Sequence, residues 1–318
     1  AMDASMASIC DPDEEPDSFL SGGVDSSYIV AKGRVKKAYC VSYANQEASE
    51  EDQAREVAES LGRDFEGIRV TPEDFFATVD EFLIAYEQPS SDAAGLSLSC
   101  AAKQVAKEST LCFSGEGADE FFAGYKAYQD YKRYSREKHP VYYGATHAMR
   151  EIDQSHYLKC YNSKWRVKDY MYAVGEEGFK YDIPTWMLLI DMKTYFEGSI
   201  LFNSTKISRG TGLDIRMPYC DLRIFDIARR VPAYNKGDSW ENKLCLRKAA
   251  AKDLPKEVAY RTKRGFPVPV REWLADPAYN GDIIRAFESE TAAKFFKMNE
   301  LQALLDMFLG KQTNLWHK

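Results

Sequence analysis

Ser21-Gly22-Gly23-Val24-Asp25-Ser26-Ser27 packs two adjacent glycines, three hydroxyls and one carboxylate into a single stretch, a set suited to holding an anion. The glycines let backbone approach a phosphate closely, and Ser21, Ser26 and Ser27 supply donors. A helix starting just after them would aim its unpaired N–H groups at the same point. No lysine follows, so this is not the Gly-x-x-x-x-Gly-Lys-Ser/Thr loop that grips a γ-phosphate. Asp25 stands there instead, and an acid beside bound phosphates calls for Mg²⁺ between them. Ser114-Gly115-Glu116-Gly117-Ala118-Asp119-Glu120 is a second such stretch. It opens like a dinucleotide fingerprint, but Glu120 stands where the third glycine belongs. Asp119 is a candidate second Mg²⁺ ligand, and Glu116 a candidate general base at a strand end. Singly, each loop has a plainer reading: a serine- and glycine-rich turn with Asp25 as a helix-start acid, and a solvated acidic loop. Together, two loops that each join glycine and serine to an acid point to a nucleotide site beyond the carboxyl ends of parallel strands.

The elements around them fit that placement. Residues 18–20 and 110–113 read as buried strands that feed the two loops, with further strands at 37–43 and 65–70. Helical periodicity covers 50–61, with Ala54, Val57, Ala58 and Leu61 on one face, and 93–107. Thr71 followed by Asp74 reads as a capping box for a helix running to Tyr86. Alternation of this kind specifies an α/β fold, a parallel sheet with helices on both faces. Beyond Phe121 strand signals nearly vanish, and helical patterns cover about 126–138, 187–202, 221–230 and 241–252. Glu197-Gly198-Ser199 reads as a break and residues 235–239 as a loop. The organisation expected is a nucleotide-binding core at about 15–125 and a mainly helical region at about 126–318 that completes the site.

Composition narrows the function classes. At 318 residues with 45% hydrophobic content, the chain can bury a full-sized core. A net charge of -7 argues against a nucleic-acid surface. No apolar run approaches the ~20 residues of a membrane span, and no signal peptide is visible. The seven cysteines include no Cys-x-x-Cys pair and read as free thiols in a reducing, cytoplasmic setting. His139, His147, His156 and His317 lie outside every motif, against a zinc site.

The motifs resemble those of a known family. The first is similar to the pyrophosphate loop of the N-type ATP pyrophosphatases. The second, with Phe121-Phe122-Ala123-Gly124-Tyr125 after it, resembles the second signature of the asparagine synthetases. In the family's order follow Leu213-Asp214-Ile215-Arg216-Met217-Pro218-Tyr219-Cys220-Asp221, then Lys243-Leu244-Cys245-Leu246-Arg247-Lys248. The last is Arg261-Thr262-Lys263-Arg264-Gly265-Phe266-Pro267-Val268-Pro269. The resemblance spans roughly residues 15–275, while about 126–185 matches little. It implies an ATP pyrophosphatase-like fold and an AMP-forming amide ligase: ATP adenylates a carboxylate, most simply the side chain of aspartate, pyrophosphate leaves, and ammonia attacks. ATP would lie on Leu20, Ser21, Gly22, Gly23, Asp25, Ser26, Ser27, Val41, Ser42, Ser114 and Gly115, with Mg²⁺ on Asp25 and Asp119. Lys263 would stabilise charge at the α-phosphate and Glu116 would take the proton from ammonia. The β-lactam synthetases carry tyrosine where Glu116 stands, which favours ammonia over an internal amine as nucleophile. Arg216 and Asp214 are either substrate contacts or a structural pair. Asp214 shortens the family's glutamate, and Thr205-Lys206 replaces an Asp-Arg found in some members.

The resemblance also implies a glutaminase domain or subunit as partner. That unit needs an N-terminal cysteine nucleophile, and Cys10 does not qualify. Ala1-Met2 reads like a vector remnant, so either a longer protein has been cut or the ammonia-generating half is naturally absent. No nucleic-acid or membrane partner is expected, and a homodimer is left open. Two other functions compete: amidation of a different carboxylate on a peptide or specialised metabolite, and non-catalytic nucleotide binding. A tRNA-modifying pyrophosphatase is disfavoured by the acidic charge and missing cysteine pair.

Overall fold

A computed structural model describes residues 1–43, 50–130, 142–144, 151–162, 167–238, 241–262, 265 and 267–309. Five strands form one parallel sheet: β1 (Asp17–Phe19), β2 (Lys37–Tyr43), β3 (Asp64–Val70), β4 (Leu111–Phe113) and β5 (Asp214–Arg216). Their order is β3-β2-β1-β4-β5. From β1 the chain winds one way through β2 to β3, then returns to place β4 and β5 on the other side. The winding therefore reverses between β1 and β4, the point where open parallel sheets leave a crevice for ligands. Ser18 of β1 is in register with Phe113 of β4, so the two glycine-rich loops leave adjacent strands at the same height.

Alternation along β2 explains how the sheet is covered. Ala38 and Cys40 enter one buried cluster with the helices Val24–Lys32 and Glu50–Ser60. Tyr39, Val41 and Tyr43 enter another with the helices Pro72–Tyr86, Ala93–Val105 and Phe202–Thr211. Adjacent apolar residues thus serve opposite faces, as a sandwiched parallel strand requires. Thr71 does form the expected capping box: its hydroxyl accepts from the Asp74 amide at 3.2 Å, and the Asp74 carboxylate accepts from the Thr71 amide at 3.2 Å.

Three expectations need correction. The sheet is not confined to the first half, because β5 comes from residue 214 onward. Its three residues are too few to show a period, and they pair with β4 through backbone alone. Glu197-Gly198-Ser199 is no break: Ile183–Asp191 runs through a π-helix, Met192–Leu201, straight into Phe202–Thr211. The wider π turn absorbs Gly198, whose missing side chain faces open space. Residues 233–236 form a short helix, Ala233–Lys236, where a loop from 235 was expected. The expected helix at 126–138 is described only as Lys126–Gln129, and its remainder lies outside the described residues. Residues Met2–Ile9 are helical and put Met2 and Met6 into the core.

All seven cysteines are free, with Cys40 and Cys112 buried. Among the described residues no helix is long and apolar enough to cross a membrane.

Candidate active site

The two loops close over a cavity of about 530 Å³ above the β1–β4 crevice. Gly23 begins the Val24–Lys32 helix with no side-chain cap, so the helix presents its first amides to the cavity. Ser21 and Ser26 brace the loop: the Ser21 amide donates to Ser26 Oγ at 3.1 Å, and the two hydroxyl oxygens are 3.2 Å apart. Gly115 lets the second loop reach the first, since a β-carbon there would stand 3.3 Å from the Ser26 amide nitrogen.

Most of the nominated residues share this cavity. Leu20, Ser21, Gly23, Asp25, Ser26, Val41, Ser114, Gly115, Glu116 and Asp119 all line it. Three nominated ATP contacts stand behind the lining. Gly22 turns with φ +74 against the Glu50–Ser60 helix, where a β-carbon would be 3.0 Å from Gln53 and Ala54. Ser27 lies on the buried side of its helix. Ser42 points away, donating to Glu51 Oε2 at 2.8 Å. Lys263 falls outside the described residues, although its neighbours Thr262 and Gly265 are at the cavity wall. Arg216 and Asp214 do not line the cavity: Arg216 pairs with Glu14 at 2.7 Å and with Asp214 at 2.8 Å. Theirs is an ion pair that ties the N-terminal segment to β5.

Lys243 is the residue that motif reading passed over. It is fully buried, and its ammonium joins Asp25 to Asp119, the latter at 2.7 Å. Burial works against its charge, but Asp119 and Asp25 outweigh this and raise its pKa. The Phe-x-Gly-Tyr signature has its reason here. A β-carbon on Gly124 would fall 1.8 Å from Asp119 Oδ1 and 2.1 Å from Lys243 Cε, so any larger residue would displace the pair. Arg247 is also buried, its guanidinium spent on the carbonyls of Asn242, Ala259 and Arg261 at 2.8 to 2.9 Å. Arg261 in turn donates to the Gly22 carbonyl at 3.1 Å, linking the last motif to the first loop. The sequence signal for Lys243 was its motif, Lys-x-x-Leu-Arg-Lys, which does not reveal that the lysine faces two acids.

Glu116 keeps some accessible surface at the wall, yet protein surrounds its carboxyl. That desolvation pushes its pKa up to about 7, with Asp92 adding to the rise and hydrogen bonds from Ser204 and Ser114 opposing it. Ser204 Oγ donates to Glu116 Oε2, and the neighbouring Asn203 amide donates to Asp92. Glu120, almost fully buried, accepts from the Tyr125 hydroxyl and is likewise pushed up to about 7 by desolvation, then by Asp119.

Two carboxylates suit a divalent cation that also binds phosphate oxygens, as Mg²⁺ does. One observation supports the fit: Asp25 Oδ1 is buried with no hydrogen-bond partner, an acceptor left for a cation. Among the described residues there is no cluster of three or more His, Cys, Asp or Glu that could hold a metal by itself. The remaining ligands would therefore come from the nucleotide and water.

Comparison with known proteins agrees with this geometry. The family model described as asparagine synthase matches residues 1–318. The glutamine-hydrolyzing asparagine synthetase 1 of Bacillus subtilis (strain 168) is 30% identical over 93% of the chain and 53% of its own length. A putative glutamine-hydrolyzing asparagine synthetase of Mycobacterium tuberculosis (strain ATCC 25618 / H37Rv) is 29% identical, over 80% of the chain and 45% of its own length. The chain spans about half the length of these curated relatives.

Proposed function

The chain belongs to the asparagine synthase family, and on that premise we propose that it is an ATP-dependent ligase that adenylates a carboxylate and converts it to an amide. The observation that carries this reading is the convergence of Asp25, Asp119, Lys243 and Glu116 on one cavity at the sheet's reversal point. The helix start at Gly23, with the Ser21 and Ser26 hydroxyls, is suited to the β- and γ-phosphates, which depart together. Leu20, Val41 and Gly115 offer an apolar shelf for adenine. A carboxylate oxygen of the acceptor attacks the α-phosphorus, and the bond from that phosphorus to the pyrophosphate oxygen breaks. Lys243 offsets negative charge on the departing group, as a preorganised cation at a developing anion does. Asp25 and Asp119 would hold Mg²⁺, which when bound neutralises triphosphate charge. Ammonia then attacks the acyl carbon, Glu116 takes a proton from its nitrogen, and AMP leaves with the acyl–oxygen bond's electron pair. A carboxylate with a pKa near neutrality suits that exchange. Lys263 keeps its proposed role at the α-phosphate.

Aspartate is the acceptor we propose, giving asparagine; the names of the relatives support it. Amidation of another carboxylate is the second reading, favoured by the aromatic part of the wall, Tyr125 and Tyr195. A glutaminase domain or subunit is the proposed source of ammonia. The test is pyrophosphate release with ATP, Mg²⁺, aspartate and ammonium. Asp25→Asn and Asp119→Asn should each lower it by at least about a hundredfold, because an amide is a weak Mg²⁺ ligand. Full release by wild type without added metal would overturn the metal assignment. Absence of asparagine among the products would move the acceptor to the second reading.

A further inference from the structure

The contact between Ser204 and Glu116 comes from an unusual stretch of backbone. Helices that take up i→i+5 bonds for a full run are rare and occur disproportionately at functional sites. Here the π-helix Met192–Leu201 lies against the second loop. Phe196 packs beside Gly117, and its ring meets Phe121 edge-on with centroids 5.2 Å apart. The wider turns reset the angular register of everything after them. Without them, the ~100° advance per residue of an α-helix would carry Asn203 and Ser204 to other faces. As it stands, Asn203 and Ser204 are both buried, and consecutive side chains reach Asp92 and Glu116. Thr205, next along, is exposed and turns its hydroxyl back to the Leu201 carbonyl at 2.8 Å.

We infer that Ser204 is a positioning residue for Glu116: its hydroxyl, placed by the π-helix, fixes the plane of the carboxylate that receives the proton from the attacking nitrogen. This rests on Glu116 being the base. The hydroxyl donates to Glu116 Oε2 from a fully buried position behind the wall. A carboxyl on a two-methylene stem has three torsions to lose, and one anchored oxygen removes most of that freedom. The donor also favours the charged form of the carboxyl, the form able to accept a proton. Two of the other groups around Glu116 do not supply this. Asp92 repels its charge from the start of the Ala93–Val105 helix. The Cys220 thiol meets the Glu116 carbonyl at 3.8 Å instead of the carboxylate. Ser114 precedes Glu116 on the same loop and assists from there.

The test is Ser204→Ala, a change that suits a buried helix, with Ser204→Thr as the variant that keeps a hydroxyl and Thr205→Ala as the neighbouring control. The Glu116 carboxyl is followed by carbon-13 NMR against pH in protein labelled at glutamate, its signal assigned by loss in Glu116→Gln. In Ser204→Ala its titration should move upward by roughly one pH unit, and in Ser204→Thr it should return most of the way. Asparagine formation from ATP, aspartate and ammonium should fall roughly tenfold in Ser204→Ala. Pyrophosphate–ATP exchange without ammonium should stay within about twofold. An unmoved Glu116 signal overturns the inference, as does equal loss of exchange and amide formation, which would mark Ser204 as structural. If Glu116→Gln forms asparagine at the wild-type rate, the base reading itself fails, whatever the NMR arm shows.

Discussion

Glu116 places catalysis and stability in opposition as pH changes. Its pKa in the fold is pushed up to about 7, above the ordinary carboxylate value of 4.5. Below that ordinary value the group is neutral in folded and unfolded chains alike, and burying it costs no charge. As pH rises through about 7, the unfolded chain has already ionised while the fold resists, so stability is lost over that window. Glu116→Gln should therefore be more stable than wild type at about pH 8, by roughly 2 kcal/mol, with the gap narrowing toward about pH 4.5. Urea unfolding at the two pH values checks this; a gap independent of pH would mean the carboxyl is not desolvated. Amide formation should show the reverse trend, rising through the same window as the base ionises. At this scale the site was half legible. Glycines and acids in close succession announce Asp25, Asp119 and Glu116 because their neighbours are so unusual. Asn203 and Ser204 sit in ordinary helical sequence and Lys243 just before a helix, and only folding shows that they face those acids.

The elements do their positioning through tight backbone approaches. Gly124 follows the short helix Ala118–Phe122 and lies directly against the Asp119–Lys243 pair. Gly124→Ala should push both side chains aside and lower pyrophosphate release by at least about tenfold. The sheet itself should survive, as circular dichroism would record; retained activity would show that the pair can shift without loss. Periodicity made the Pro72–Tyr86 and Ala93–Val105 helices readable, because each has one apolar stripe and an acceptor at its start. Thr71 and Asp92 both cap by accepting backbone amides. It failed at β5, where three residues leave no pattern, and at the π-helix. A π stretch has the composition of an α-helix and differs only in where its hydrogen bonds land.

Across the whole molecule, strand–helix alternation in the first 113 residues was enough to specify a parallel sheet. It could not say that the sheet is finished by a strand a hundred residues later. The helix Met2–Ile9 packs on Pro218–Cys220, on Leu222–Arg230 and on Val24–Lys32, and Ser5 Oγ donates to the Pro218 carbonyl at 2.6 Å. Arg216 reaches back to Glu14 in the same way. These contacts set a timetable. Strands β1 to β3 and their helices are local in sequence and can assemble early, whereas β5 and the contacts of the Met2–Ile9 helix with Pro218–Arg230 must wait for a long loop to close. In refolding followed by pulsed hydrogen exchange, the amides of Cys40 and Ile68 should gain protection before those of Ser5 and Ile215. Simultaneous protection would mean the chain condenses as one unit. On the ribosome the same geometry leaves one side of the Met2–Ile9 helix uncovered long after the helix has been made. Met2 and Met6 emerge well before Pro218–Cys220, a main part of the surface that shelters them, and a chaperone that recognises short apolar segments has that interval in which to hold them.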